Sequence, residues 1–169
     1  CAVELLPDGL RSPESEVKVA ALVPEVNPKA IDRTHRRAMS KMGVFAYLAA
    51  VEALDAAGLK EYPADMGLAV GTTMGSPHTL TEFFSEYLGS HNMAGLKSTT
   101  FFKIMGHEAA SSLALALGLS GRTLAPSAAC AAGLQAVGLG YEAIASGREE
   151  IMICGGTEEF DLLTAMTFD

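Results

Sequence analysis

Apolar and polar positions alternate across residues 16–23, EVKVAALV, and predict a short strand. The opening residues 1–13, CAVELLPDGLRSP, do not read as a strand, and residues 24–32 are a turn-rich link. From residue 33 to 57 the period changes. Met39, Met42, Ala46, Ala49, Ala53 and Ala57 recur at spacings of three and four, which predicts one long helix ended by Gly58. Val44, Leu48, Val51 and Leu54 add a second stripe, so its later turns are expected to be buried on most sides. Residues 66–70, MGLAV, read as an apolar strand followed by the turn GTTMGSP. Ser76 and Pro77 supply an N-cap and a first-turn proline for a helix reaching about Leu88. Residues 89–100 read as a loop, 104–117 as a helix stopped by Gly118, and 122–126 as a strand. Residues 131–146 form a further helical pattern, and 151–154 a buried strand before a glycine turn. Strands alternating with helices predict α/β layers around a mostly parallel sheet.

The composition narrows the class. One domain is the natural count for 169 residues, and 49% hydrophobic with 19% charged residues marks a globular chain. A net charge of −8 argues against broad nucleic-acid binding, which needs a basic footprint. No run of about 20 apolar residues suits a membrane span, so no membrane partner is expected. Cysteines at 1, 130 and 154 fit neither a disulfide framework nor a zinc pattern, which points to a reducing, cytoplasmic setting. No secretory signal is visible. The chain begins with Cys and ends at TAMTFD, and reads as a piece of something longer.

Two features carry chemistry. The first is Cys130, in PSAACAAGLQAVGLGYEAIASG, at a sharp turn between a strand and a helix. A helix N-terminus offers free N–H groups and partial positive charge, which favours the thiolate, the stronger nucleophile. The small neighbours Ala128, Ala129, Ala131, Ala132 and Gly133 let a substrate and another backbone come close. Free cysteines are also among the most buried residues, and a core role fits Cys130 on spacing alone. It fits Cys154, inside an apolar strand, more firmly. The second feature is RTHRRAMSK, which places Arg33, His35, Arg36, Arg37 and Lys41 in nine residues at a helix start. Positive charge is unfavourable there, so the cluster is either a solvated face or a docking patch for an acidic partner.

Together these segments resemble the β-ketoacyl synthases, the condensing enzymes of fatty-acid and polyketide synthesis. Ala128-Ala129-Cys130-Ala131-Ala132-Gly133, then Ser146-Gly147, then Gly155-Gly156-Thr157-Glu158 follow the family's nucleophile segment without a gap. ALGLSGRTLAPSAAC resembles its lead-in, with Arg122 where a proline is usual, and residues 33–59 and GLAVGTTMGS resemble its first long helix and second strand. Ala128 and Ala132 stand where threonine and serine are frequent, removing two hydroxyls.

The resemblance implies a thiolase-like, layered α/β/α fold with a mostly parallel mixed sheet, of which this chain is the N-terminal half without its opening strand. It implies Cys130 as the nucleophile that takes an acyl chain from acyl carrier protein, before decarboxylative condensation with malonyl-carrier. No cofactor is implied beyond the carrier's phosphopantetheine, and no metal. Two histidines, a lysine and a second oxyanion donor would come from the C-terminal half. Arg33 and Arg37 become the expected carrier contacts, and Ile104 and Met105 the expected acyl pocket. The edge at residues 122–125 would serve a homodimer, or the chain would associate with a complementary half. A non-catalytic homologue that shapes chain length, and a thiolase acting on CoA thioesters, are the alternatives.

The other motifs weigh less. GTTMGSP lacks the G-K-[ST] of a phosphate loop, and GHEAAS is not H-E-x-x-H because Ser111 stands at the second histidine position. Satisfied polar roles are expected for His78, His91 and His107, and burial for Phe101 and Phe102.

Overall fold

The computed structural model describes residues 3–91 and 97–169. Cys1 and part of the expected loop at 89–100 fall outside them. The elements are β1 (Glu4–Leu5), β2 (Val19–Ala20), α1 (Arg33–Arg36), α2 (Lys41–Ala56), β3 (Gly67–Gly71), α3 (Pro77–Ser90), α4 (Ser98–Lys103), α5 (Glu108–Leu117), β4 (Thr123–Leu124), α6 (Ala132–Ala145), β5 (Met152–Gly156) and α7 (Leu162–Ala165).

Among the described residues, β4, β3 and β5 form a parallel sheet with β3 at its centre. Leu68 lies opposite Thr123 on one side and Ile153 on the other. The period of two along β3 divides its side chains between two layers. Leu68 and Val70 join Met42 and Ala50 of α2 and Ala109, Ala110, Leu113 and Ala114 of α5 in the main core. Burying Leu68 or Leu113 contributes about 2 kcal/mol each. Gly67, Ala69 and Gly71 alternate with that pair, and Gly71 meets α6 on the opposite face. The result is the expected α/β/α layering.

Helix α6 lies unusually close to the sheet because little separates the two backbones. Its sheet-facing stripe is Ala132, Ala136, Gly140 and Ala143, spaced four, four and three. A Cβ on Gly71 would sit 2.2 Å from the Ala132 carbonyl oxygen, and one on Gly140 would sit 2.2 Å from Cys154 Sγ. Leu134 and Tyr141 on the far side are exposed.

Several expectations are corrected. The helix expected at 33–57 is two helices. Ser40 interrupts it, and its hydroxyl accepts the Gly43 amide as the N-cap of α2. Only the first turn of α2 is buried on most sides, since Ala49 and Ala53 are exposed. The strand expected at 16–23 shrinks to Val19–Ala20, and its antiparallel partner is Glu4–Leu5, from the segment that did not read as a strand. The helix Ser98–Lys103 begins inside the stretch 89–100 expected as a loop, and the helix expected from 104 begins at Glu108. Phe101 and Phe102 are 49% and 59% exposed, because α4 leaves the pair at its outer surface. The first turn of α7, capped by Asp161, was not anticipated.

Candidate active site at the head of helix α6

The chain leaves β4 beside β3 and keeps pairing beyond it. Ser127 bridges Thr72 in parallel, and the Thr72 amide donates to the Pro126 carbonyl at 3.2 Å. Ser127 Oγ donates to the Thr73 carbonyl at 2.8 Å. The chain then reverses sharply. Ala128 has φ −149° and ψ 37°, and Ala129 has φ +46°. A left-handed alanine costs on the order of 1 kcal/mol, and such strain persists where neighbouring contacts over-determine it. One 3-10 turn, Ala129–Ala131, carries Cys130 and runs into α6.

Cys130 is therefore exposed at the head of α6, beside the C-terminal ends of β3 and β5, the end of a parallel sheet where ligands bind. The close approach of α6 fixes this height. Besides the Gly71 contact, a Cβ on Gly156 would sit 2.9 Å from Gly133 Cα. The thiol lies on the wall of a cleft of about 600 Å³ that it shares with Phe45, Thr73, Met74, Glu158 and Phe160. Glu158 closes one side, accepting from the Thr73 amide and from Thr72 Oγ1, the latter at 3.1 Å. Glu159, next to it, is buried against the start of α3, where it accepts from Ser76 Oγ and from the His78 amide. Sequence reasoning assigned no role to Phe45, Met74, Glu158 or Phe160. The G-G-x-E run and the turn after β3 were the signals for two of them.

Cys154 lies in β5, half-buried, and burial pushes its thiol up from the ordinary cysteine value. The inert reading suits it.

Arg33 and Arg37 are both exposed, on α1 and at its C-cap. The structure supplies what offsets positive charge at this helix start. Asp32 caps α1, accepting the Thr34 amide at 2.7 Å, and that bond, with His35 and Arg36 nearby, holds its carboxyl below the usual range. Arg36 differs from its neighbours in turning back, donating to the Pro28 carbonyl at 3.0 Å.

Ile104 and Met105 do not line the Cys130 cleft. Met105 borders a second cavity of about 290 Å³, with His35, Phe102, His107, Glu108 and Leu115. Ile104, half-buried at the C-cap of α4, lines neither. Gly75, next to Met74 of the first cleft, packs against this segment: its Cβ position is 3.4 Å from the Met105 carbonyl oxygen. Glu108 is buried and joins helices far apart in sequence. It accepts from the Ser40 amide at 3.1 Å, from Ser40 Oγ, and from Ser112 Oγ at 3.0 Å. Burial raises its carboxyl above the ordinary glutamate value despite these bonds.

His78 lies 3.3 Å from Glu82 and 3.8 Å from Asp161. Among the described residues, no group of three His, Cys, Asp or Glu side chains is placed to hold a metal ion, and no helix is long and apolar enough to cross a membrane.

The family model described as beta-ketoacyl synthase, N-terminal domain, matches residues 10–168. The chain belongs to this family. It is 29% identical over 149 residues to 3-oxoacyl-[acyl-carrier-protein] synthase 1 of Haemophilus influenzae, a match covering 86% of this chain and 37% of that protein. It therefore spans little more than a third of this curated relative. A beta-ketoacyl synthase from Burkholderia phymatum superimposes with a TM-score of 0.86 at 32% identity, over 99% of this chain and 42% of its own. A ketosynthase bound to a hexaketide, solved in complex with a type II polyketide acyl carrier protein, shares the fold with a TM-score of 0.74 at 24% identity, over 87% of this chain and 43% of its own. The fold is that of the thiolase-like ketosynthases, and this β-ketoacyl synthase domain supplies its N-terminal half.

Proposed function

We propose that Cys130 is the acyl-accepting nucleophile of a condensing enzyme that works on carrier-bound chains. The Cys130 thiolate attacks the thioester carbonyl of an acyl carrier protein. The carbonyl electrons collapse back, the carrier's phosphopantetheine sulfur leaves as a thiolate, and the acyl group stays on Cys130. A malonyl-carrier then loses CO2, and its carbanion attacks the acyl-cysteine and releases the Cys130 thiolate with a chain longer by two carbons. The single observation that carries this reading is the placement of an exposed thiol at the head of α6, on the wall of a cleft of about 600 Å³. That volume lies in the range of small-molecule sites. The groups that would assist decarboxylation are expected from the C-terminal half of the full protein.

Arg33 and Arg37 would steer the acidic carrier, since a local positive patch on a chain of net charge −8 is a directional signal. The chain's first carbons would lie against Phe45 and Met74. Met105, beyond the Gly75 contact, would meet only the end of a chain long enough to pass it. The sheet edge at β4 is the proposed contact for a second subunit or a complementary half, in a cytoplasmic, reducing compartment.

The test is intact mass after incubating the full-length protein with acyl-carrier protein, wild type against Cys130→Ala. One acyl group gained by the wild type and lost in the variant is the expected result. Acylation from CoA thioesters alone would assign a thiolase. No gain from either donor would assign a non-catalytic partner that shapes the assembly.

A further inference from the structure

Thr73 is the first residue past the bridge that extends β3, and both its backbone polar groups are held by side chains distant in sequence. Its N–H donates to Glu158 Oε1, and its carbonyl accepts from Ser127 Oγ at 2.8 Å. The same Glu158 oxygen takes the Thr72 hydroxyl at 3.1 Å, so two donors from adjacent residues converge on one carboxylate oxygen. Hydrogen bonds to a charged acceptor are about twice as strong as neutral ones. Ser127 stands two residues before the left-handed Ala129 and three before Cys130. A continuous path therefore runs from Glu158 through Thr72 and Thr73 to Ser127 and into the strained turn that presents the thiol. Strained backbone needs such contacts to persist.

We propose that Glu158 is a positioning residue for Cys130: by anchoring Thr72 and Thr73 it holds Ser127, and so keeps Ala129 in its left-handed conformation with the thiol at the head of α6. The inference rests on the reading of Cys130 as acyl acceptor, and it concerns a residue that does not itself touch the reacting atoms. A carboxylate suits the task because both partners are donors, and an amide oxygen is the nearest substitute.

The experiment compares Glu158→Ala and Glu158→Gln in the full-length protein, each alone and with Ala129→Gly. Two rates are read by intact mass: alkylation of Cys130 by iodoacetamide, which needs no acyl transfer, and acylation by acyl-carrier protein. Glu158→Ala should slow alkylation at least threefold and lower kcat for acylation about tenfold with little change in KM for the carrier. Glu158→Gln should recover most of both rates. In the Ala129→Gly background, where the left-handed turn carries no penalty, the loss caused by Glu158→Ala should shrink. Wild-type rates in Glu158→Ala, or a Gln variant no better than Ala, would overturn the proposal. If the wild type takes no acyl group, the reading of Cys130 as acceptor fails, and the alkylation rates alone decide whether Glu158 positions the thiol.

Discussion

Ser40→Ala probes a junction that joins two helices through one buried carboxylate. Ser40 does two jobs with one hydroxyl. Its oxygen accepts the Gly43 amide at 3.1 Å, capping α2, and its hydrogen is donated to Glu108. Losing a serine cap costs about 1 kcal/mol. Losing a donor to a buried charged group costs about 2 kcal/mol more. Where Glu108 is ionised, the substitution should therefore cost about 3 kcal/mol, a large share of the ~5–15 kcal/mol that holds a domain folded. In a Glu108→Gln background the charge is gone, and Ser40→Ala should cost only the cap, about 1 kcal/mol.

The pH dependence has a definite sign. Burial raises the Glu108 carboxyl in the folded state, so between the ordinary glutamate value and the raised one the folded protein binds more protons than the unfolded chain. The stability that follows from this is present in acid and is lost as pH rises through the raised value. The Ser40 hydroxyl favours the ionised form, so removing it raises the carboxyl further and deepens the penalty wherever Glu108 is ionised. The cost of Ser40→Ala should therefore grow from about 1 kcal/mol below the ordinary glutamate value to about 3 kcal/mol above the raised one. Urea unfolding of the full-length single and double variants across this range, with m-values compared, measures it. A cost that is flat with pH and equal in both backgrounds would refute the coupling between Ser40 and Glu108.

Two further predictions test the seating of α6 and the basic turn. Gly140→Ala drives a methyl to 2.2 Å from Cys154 Sγ and should lose about 1–3 kcal/mol, most of it recovered by adding Cys154→Ala; thermal unfolding of the pair checks this, and no recovery would refute the contact. Arg33→Glu with Arg37→Glu should raise KM for acyl-carrier protein roughly tenfold at low salt, a difference that should fade at about 0.5 M salt, while acylation from a small-molecule thioester stays unchanged.

Elements with local signals were legible. Ser76 and Pro77 mark the start of α3 through chemistry within four residues, since the Ser76 hydroxyl accepts the Thr79 amide. Strand β3, expected at 66–70, runs Gly67–Gly71. The placement of Cys130 at a sharp turn leading into a helix was legible because small residues crowd that turn. The break between α1 and α2 was not, because the apolar spacing runs on across it. What enforces the break is Ser40, and what fixes Ser40 is Glu108, 68 residues away. The pairing of Glu4–Leu5 with Val19–Ala20 rests on two residues per strand, too few to carry a periodic signal. The exposure of Phe101 and Phe102 follows from where α4 docks, and nothing in the run STTFFK states that.

Ala129 shows most clearly why the elbow's geometry was hidden while its position in the chain was not. Alanine announces no special backbone conformation, and a glycine would have adopted φ +46° at no steric cost. The angle is imposed from both ends. Upstream, the Thr72–Ser127 bridge holds the chain parallel to β3 past its last strand residue. Downstream, α6 cannot shift along or away from the sheet, because Gly71 and Gly156 bring it into backbone contact with two strand ends. With both ends fixed, the three residues from Ala128 to Cys130 must make the reversal, and the strain falls on Ala129. A glycine there would relieve the strain but also widen the range of thiol positions, since it removes the steric limit that selects one turn. The alanine holds Cys130 in a narrower set of orientations at a cost of about 1 kcal/mol, the kind of exchange that the proposed attack on a thioester in one geometry would require.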